Sequence, residues 1–264
     1  MNRQFAIITL SVVPVRAQAS DAAEQISQLL FGESVEILVQ EAKWWKVQCL
    51  FDDYIGWIDP KQCQIIPATT LNSPQQISID RLSMISNGHG LQPISIGSTL
   101  PNFQNNSIAI NEHKFTFAGQ TNAENHFSFA NISDLAKLFL AAPYQWGGRS
   151  ILGIDCSGFT QLVYKIIGIK LPRDAKDQAL QGIAVNSVAE LQAGDLVFFD
   201  NEKGNIIHVG IALAGGQIIH ASGQVRIDQL DHQGIFNQRK TKLYRRIRKK
   251  LETQRSSCIK QNTI

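Results

Sequence analysis

The sequence predicts an α+β protein in which two small all-β domains, residues 1–68 and 69–130, precede a mixed domain at 131–250 and a tail at 251–264. Three observations carry this. Up to residue 68 the chain is a series of short β-branched runs broken by Gly, Asp and Pro. Helical spacing of apolar residues first becomes clear after residue 130, in "SDLAKLFLAAPY". Beyond it, one cysteine stands at the start of a second periodic run and is followed by the strand-like runs "DLVFF", "HVGIALA" and "QIIHAS".

At 264 residues, with 44% hydrophobic and 18% charged residues, the chain has enough apolar material for more than one core. No stretch reaches the ~18 apolar residues that span a bilayer, and no membrane partner is expected. The net charge of +3 conceals an uneven distribution. Arg239 to Lys250 holds eight basic and no acidic residues, so the rest of the chain carries +3 − 8 = −5. The basic character is local, and Leu243, Tyr244 and Ile247 within it predict a last strand that then frays rather than a nucleic-acid surface.

The N-terminus imitates a short secretory signal, with Arg3, an apolar run from Phe5 to Val13 and "AQA" at 17–19. Pro14 and Arg16 interrupt that run, and it reads as a β-branched strand ending in a turn. Then come "LLFGESVEIL", "WWKVQC" and "GWID", strands short enough to close as a small barrel. Trp44, Trp45 and Trp57 serve there as core and rim aromatics or as walls of a ligand groove. Residues 69–130 are polar, yet "SIAINEHKFTFAG" still alternates, and a second β domain fits better than a sixty-residue loop.

In the third region Ser133 or Asp134 is placed to cap a helix carrying Leu135, Leu138 and Phe139. Phe159, Leu162, Val163 and Ile166 recur at i, i+3, i+4 and i+7, which puts Cys156 at a helix N-terminus. The other cysteines, 49, 63 and 258, form no CxxC pair and no Cys/His zinc spacing, so no metal site is expected. Cys49 and Cys63 would pair in an exported protein, but in β-rich sequence they read as small buried hydrophobes, which favours a reducing compartment.

A thiol becomes nucleophilic on losing its proton, and a helix N-terminus with an imidazole nearby assists that loss. His208 and His220 lie on successive strands and supply a base and a group to orient it. A two-residue Gly215-Gly216 turn would make paired residues sum to 431, setting His220 opposite Ile211 and away from the His208 face. A loop with an odd number of residues, or one bulge, gives 430 or 432 and returns His220 to that face. The odd loop is therefore predicted.

Asp-Cys-Ser-Gly at a loop-to-helix junction, then "HVGIAL" and "IIHASG", resembles the NlpC/P60 family of papain-like cysteine peptidases, which cut bacterial cell-wall peptides. "PYQWGGRSILGIDCSGFTQLVY", "LPRDAKDQ" and "LQAGDLVFF" extend the resemblance over about 120 residues in the family's order. It implies Cys156 as nucleophile, His208 as general base, His220 as the third, orienting member, and Tyr144 beside the nucleophile as support for the oxyanion. The β strands before it resemble bacterial SH3-like domains, giving two SH3-like barrels ahead of the peptidase domain.

That combination resembles γ-D-glutamyl-L-diamino acid endopeptidases of the dipeptidyl-peptidase VI type, which release L-Ala-γ-D-Glu from murein stem peptides and hold a free N-terminal amine. The resemblance assigns Asp155 and Ser157 to that amine, with Asp155 alternatively only a helix N-cap. Tyr54 and Glu24 of the first domain resemble its contributed residues, although Glu33 and Glu36 lie close to Glu24 in sequence. Arg173 either meets a substrate carboxylate or caps local structure. The resemblance implies no metal or organic cofactor and murein-peptide recycling in the cytoplasm; a monomer is expected, though the sequence does not fix the oligomeric state. It leaves meso-diaminopimelate and lysine both open as the third residue. An exported wall hydrolase, an amidase or acyltransferase of the same superfamily, and a non-enzymatic wall-peptide adaptor are the competing readings.

Overall fold

The computed structural model describes residues 3–125, 127–184, 188–237, 242–244 and 247–252. They divide into two compact units, one of residues 1–126 with 145–154 and 168–170, the other of 127–144, 155–167 and 171–264.

In the first unit, Gln4–Ile8, Val12–Arg16, Gln25–Leu30, Ser34–Gln40, Trp45–Cys49, Ile55–Ile58 and Cys63–Ile66 form one seven-stranded sheet. The N-terminal run is thus two strands. Along Gln4–Ile8 the side chains alternate between two cores, which explains a run apolar at almost every position. Ala6 and Ile8 join Val13, Val15, Leu29, Val35, Val47, Cys49 and Ile58. Phe5 and Ile7 join Phe31 and Ile66, together with Ile85, Ile94, Leu100, Ile108, Ile110, Phe115 and Phe117 from the following β region.

That shared strand makes the two expected β domains one compact unit. The second region contributes the four-stranded sheet of Leu91–Ser95, Leu82–Ser86, His113–Phe117 and Ser107–Ile110, and the pair Gln75–Ile77 with Thr99–Pro101. Trp44, Trp45 and Trp57 are half-buried, with Trp45 packed against the first core. Cys49 and Cys63 are both free thiols, and Cys258 lies outside the described residues.

The segment 145–154, which leads to Cys156, is anchored in the first unit by a buried ion pair. Arg149 donates from Nη1 to Glu33 Oε2 at 2.9 Å and from Nη2 to Glu33 Oε1 at 3.0 Å, with side-chain exposures of 2% and 3%. Its Nη1 also reaches the Gln28 carbonyl at 2.7 Å. Gly147, at φ +71°, approaches the Gln25 carbonyl so closely that a Cβ would lie 2.4 Å from the oxygen.

In the second unit the strands order as Ile183–Ala184, Ile247–Glu252, Leu196–Asp200, Ile206–Leu213, Gln217–Ser222, Gln224–Asp231, Gly234–Phe236 and Lys242–Tyr244. All neighbours are antiparallel. The basic segment is therefore split between two places in the sheet, and its last strand runs to Glu252 rather than stopping at 250; the rest of the expected tail, 253–264, lies outside the described residues. The helix expected from Ser133 or Asp134 is shorter and earlier, Ile132–Lys137, with Asn131 at the cap position and no side-chain cap bond. Leu135 and Phe139 are buried as the spacing predicts, while Leu138 is half-buried after the helix has ended.

Candidate active site

Cys156 opens the helix Cys156–Ile166, and Asp155 is its N-cap, extended at φ −92° and ψ 178°, accepting the Gly158 N–H at 2.7 Å. The apolar periodicity predicts an amphipathic helix; the observed helix is buried along its whole length. Its polar side has partners of its own. Thr160 Oγ1 donates to Gln178 Oε1 at 2.8 Å, Gln161 Nε2 to the Leu171 carbonyl at 3.0 Å, and Tyr164 Oη to the Gly194 carbonyl.

The "LPRDAKDQ" stretch is the cover that supplies several of these bonds. Gln178 Nε2 donates to the carbonyls of Ser157 and Pro172, and Arg173 pairs bidentately with Asp155, Nη1 to Oδ1 at 3.0 Å and Nη2 to Oδ2 at 2.6 Å. Arg173 Nη1 also donates to Ser157 Oγ at 2.9 Å. Asp155, Ser157 and Arg173 are all buried, and the carboxylate already has a cationic partner.

The helix packs on the strands Ile206–Leu213 and Gln217–Ser222. These two pair as Ile211↔Ile219, Ala212↔Ile218 and Leu213↔Gln217, so the loop is the odd, three-residue Ala214-Gly215-Gly216 and the pairs sum to 430. Continued one pair further, that register sets His220 against Gly210, where a Cβ would come within 2.9 Å of His220 Cβ. The two histidines meet, with Nε2 of His208 2.8 Å from Nδ1 of His220 and their rings crossed at 83°. Phe199, opposite His208 on Leu196–Asp200, lies against its ring with centroids 5.9 Å apart.

The chain of contacts goes one residue further than sequence reasoning took it. His220 Nε2 lies 3.0 Å from Asp228 Oδ2, which also accepts Arg226 Nε at 2.8 Å. The missed signal is the single-residue turn at Gly223: Ser222 pairs with Gln224 and His220 with Arg226, which sets Asp228 two positions along on the His220 face.

Burial dominates the electrostatics. The Cys156 thiol is pushed up to about 12 by burial and by Asp155, against hydrogen bonds from the backbone of Val209 and Ser157 and the charge of Arg173. Val209 follows His208 directly, so the thiol sits against the strand that carries the imidazole. His208 is held well below its ordinary value by burial, then by His220 and Arg226. His220 is lowered by burial despite the hydrogen bond and charge of Asp228. Burial would raise Asp228, but hydrogen bonds from His220 and Arg226 outweigh it and hold the carboxyl below its usual range. The directions of these shifts favour a neutral Cys156, His208 and His220 and an ionised Asp228 at rest.

A thiol at a helix start, against a strand whose histidine is hydrogen-bonded to a second one, is the arrangement that a nucleophile with a base and an orienter would need. The NlpC/P60 family model matches residues 141–246, and the bacterial dipeptidyl-peptidase SH3 domain model matches 15–62. The chain is 32% identical over 217 residues, 74% of its length and 71% of the relative's, to a γ-D-glutamyl-L-lysine dipeptidyl-peptidase of Bacillus subtilis. The chain belongs to the NlpC/P60 family. A dipeptidyl-peptidase 6 of Lysinibacillus sphaericus is 27% identical over 86% of this chain and 92% of its own. An NlpC/P60 family protein of Bacillus cereus shares the fold, with a TM-score of 0.75 over 92% of this chain and 99% of its own at 23% identity. The architecture is an SH3-like N-terminal domain joined to an NlpC/P60 domain, mixed α/β and mostly strand.

The remaining residues named by the NlpC/P60 resemblance lie as follows. Tyr144 is 37% exposed, and its backbone N–H is bound to the Gly223 carbonyl, at the end of the His220 strand. In the first unit, Tyr54 packs half-buried against the first core. Glu24 is exposed and accepts Trp146 Nε1 at 2.6 Å. Its sequence neighbours are engaged by arginines, Glu33 by Arg149 and Glu36 by Arg3. Among the described residues no cluster of His, Cys, Asp or Glu could hold a metal ion, and no helix is long and apolar enough to cross a membrane.

Proposed function

We propose that this protein is a cysteine peptidase that hydrolyses the bond from γ-D-Glu to the diamino acid in murein stem peptides with a free N-terminal L-Ala. One observation carries the chemistry: Cys156 starts a helix against the strand of His208, whose Nε2 is already engaged by His220. The base is then Nδ1 of His208, which takes the thiol proton. Two opposite charges arise together, and their mutual attraction offsets part of the desolvation that keeps each group neutral at rest. The thiolate attacks the γ-carbonyl carbon, and the tetrahedral oxyanion is stabilised by backbone N–H at the helix start and by Tyr144. The C–N bond breaks as His208 returns its proton to the departing amine. Water then attacks the thioester, giving up a proton to His208, and the dipeptide leaves as its carboxylic acid with the thiol restored.

The bond specificity is supported by the names of the Bacillus and Lysinibacillus relatives and by the match to the SH3 domain of bacterial dipeptidyl-peptidases. In this reading Asp155 and Ser157 serve the substrate amine, and Tyr54 and Glu24 are further substrate-binding residues. The sheet around Leu82–Phe117 is a second, degenerate SH3-like domain. A cytoplasmic place in peptide recycling suits a demand for a free L-Ala amine, which the intact wall mostly lacks. It is supported by Ala6, Ile8, Val13 and Val15, all core residues of the first unit that cleavage after Ala19 would remove.

The test is mass spectrometry of L-Ala-γ-D-Glu-L-Lys and L-Ala-γ-D-Glu-meso-diaminopimelate, free and N-acetylated, with the wild type and Cys156→Ala. Release of L-Ala-D-Glu from the free peptides alone, lost in the variant, is expected. Equal cleavage of the acetylated peptides would remove the amine requirement and with it the recycling role. No cleavage of any would overturn the peptidase reading.

A further inference from the structure

We propose that Asp228 is a positioning residue that sets the tautomers of both histidines, so that the lone pair of His208 lies on Nδ1. This deepens the peptidase reading and rests on it for its kinetic consequence.

The Asp228 side chain is only 4% exposed, and its Oδ2 receives both Arg226 Nε and His220 Nε2. Ion-paired to Arg226 and ionised, the carboxylate has no proton to give and only accepts. The 3.0 Å contact therefore requires hydrogen on His220 Nε2. His220 is neutral, so its Nδ1 carries the lone pair. The 2.8 Å contact between His220 Nδ1 and His208 Nε2 then requires hydrogen on His208 Nε2. Neutral His208 is left with its lone pair on Nδ1. One carboxylate, two hydrogen bonds away, thus decides which nitrogen can accept the thiol proton.

Without that acceptor, His220 is free to carry hydrogen on Nδ1 and donate it to His208 Nε2. His208 would then hold its own hydrogen on Nδ1, the wrong side for a base. Where a carboxylate contacts the catalytic histidine directly, spoiling the tautomer lowers kcat about 10⁴-fold. With an imidazole interposed, a loss of about 10²-fold is expected for Asp228→Ala, with KM little changed because no ground-state substrate contact is removed.

The direct readout is a two-bond ¹H–¹⁵N correlation spectrum of the histidine rings in the ¹⁵N-labelled full chain near neutral pH, with His208→Gln and His220→Gln for assignment. Both rings are expected as Nε2–H tautomers in the wild type. Asp228→Ala should move His208 toward Nδ1–H and lose activity, and Asp228→Glu should restore both in part. Hydrogen on Nδ1 of wild-type His220 would overturn the proposal, as would an unchanged His208 tautomer in Asp228→Ala. If Asp228→Ala fails to fold, the wild-type spectrum decides alone. The spectrum needs no substrate, so a protein that cleaves no murein peptide would sink the peptidase reading and leave this measurement standing.

Discussion

His208 and His220 touch edge to face through one hydrogen bond, Nε2 to Nδ1 at 2.8 Å, although the loop between their strands contains two consecutive glycines that invite the register keeping them apart. The third loop residue, Ala214, makes the number odd and turns His220 onto the His208 face.

From that contact, replacing His220 by Ala should lower kcat by at least about 10²-fold while KM changes little, because the base loses its orientation and no ground-state substrate contact is removed. His220→Asn, whose side-chain amide can still accept from His208, should retain more activity than Ala. Steady-state kinetics on the free tripeptide checks both. An Asn variant as inactive as Ala would mean the imidazole acts by more than orientation.

Gly210 is the second consequence of the register. A Cβ there would lie 2.9 Å from His220 Cβ and 2.7 Å from Ile218 Cδ1, closer than real Cβ contacts allow. Gly210→Ala should therefore displace His220, destabilise the protein by about 1–3 kcal/mol through overpacking, and lower kcat well beyond what the stability loss explains. Urea unfolding alongside kinetics separates the two effects. Wild-type activity in a folded Gly210→Ala protein would show that His220 has slack.

Much of this site is written locally. The start of the Cys156 helix is legible from Asp155, Cys156 and the spacing of Phe159, Leu162, Val163 and Ile166, since capping and periodicity act over a few residues. The pairing of the two histidines is legible from one loop length. Asp228 is not, because "QVRIDQLD" alternates like any half-exposed strand and its register hangs on a one-residue turn at Gly223. The partner of Arg173 is equally hidden: its bond to Asp155 spans eighteen positions and depends on the helix burying its polar side. Nor does local sequence reveal that Gln4–Ile8 has two buried faces, because a continuous apolar run also reads as a signal or a buried helix segment.

The Arg149–Glu33 pair gives a stability prediction independent of catalysis. Both side chains are almost wholly buried, so Glu33→Ala strands a guanidinium whose remaining hydrogen-bond acceptor among the described residues is the Gln28 carbonyl. Breaking one side of such a pair costs about 3–5 kcal/mol, whereas replacing both partners by apolar residues of similar size is often neutral. Glu33→Ala should lower the urea midpoint sharply, and Glu33→Met with Arg149→Met should recover most of it. A double variant as unstable as the single would mean that the bonds from Arg149 to Gln28, rather than the ion pair, hold the 145–154 segment.

The buried imidazoles set how stability depends on pH. Both His208 and His220 are lowered in the folded protein, chiefly by burial, while in the unfolded chain they titrate near ~6.5. Between that value and their folded values the unfolded chain binds more protons, so stability rises with pH and falls as the solution is acidified through ~6.5. Each histidine adds up to about 1.4 kcal/mol per pH unit to that slope. Asp228 acts in a lower window: its folded value is depressed, so its contribution persists above its unfolded value near ~3.9 and is lost only at more acidic pH. Urea unfolding from pH 7.5 to 5 therefore isolates the imidazoles. The wild type should lose stability across that range, and His208→Gln should flatten the slope by about one proton, since His208 is the deeper shifted of the two. An equal slope in the variant would mean that His208 titrates in the folded protein as it does in the unfolded chain, and that burial does not hold it neutral.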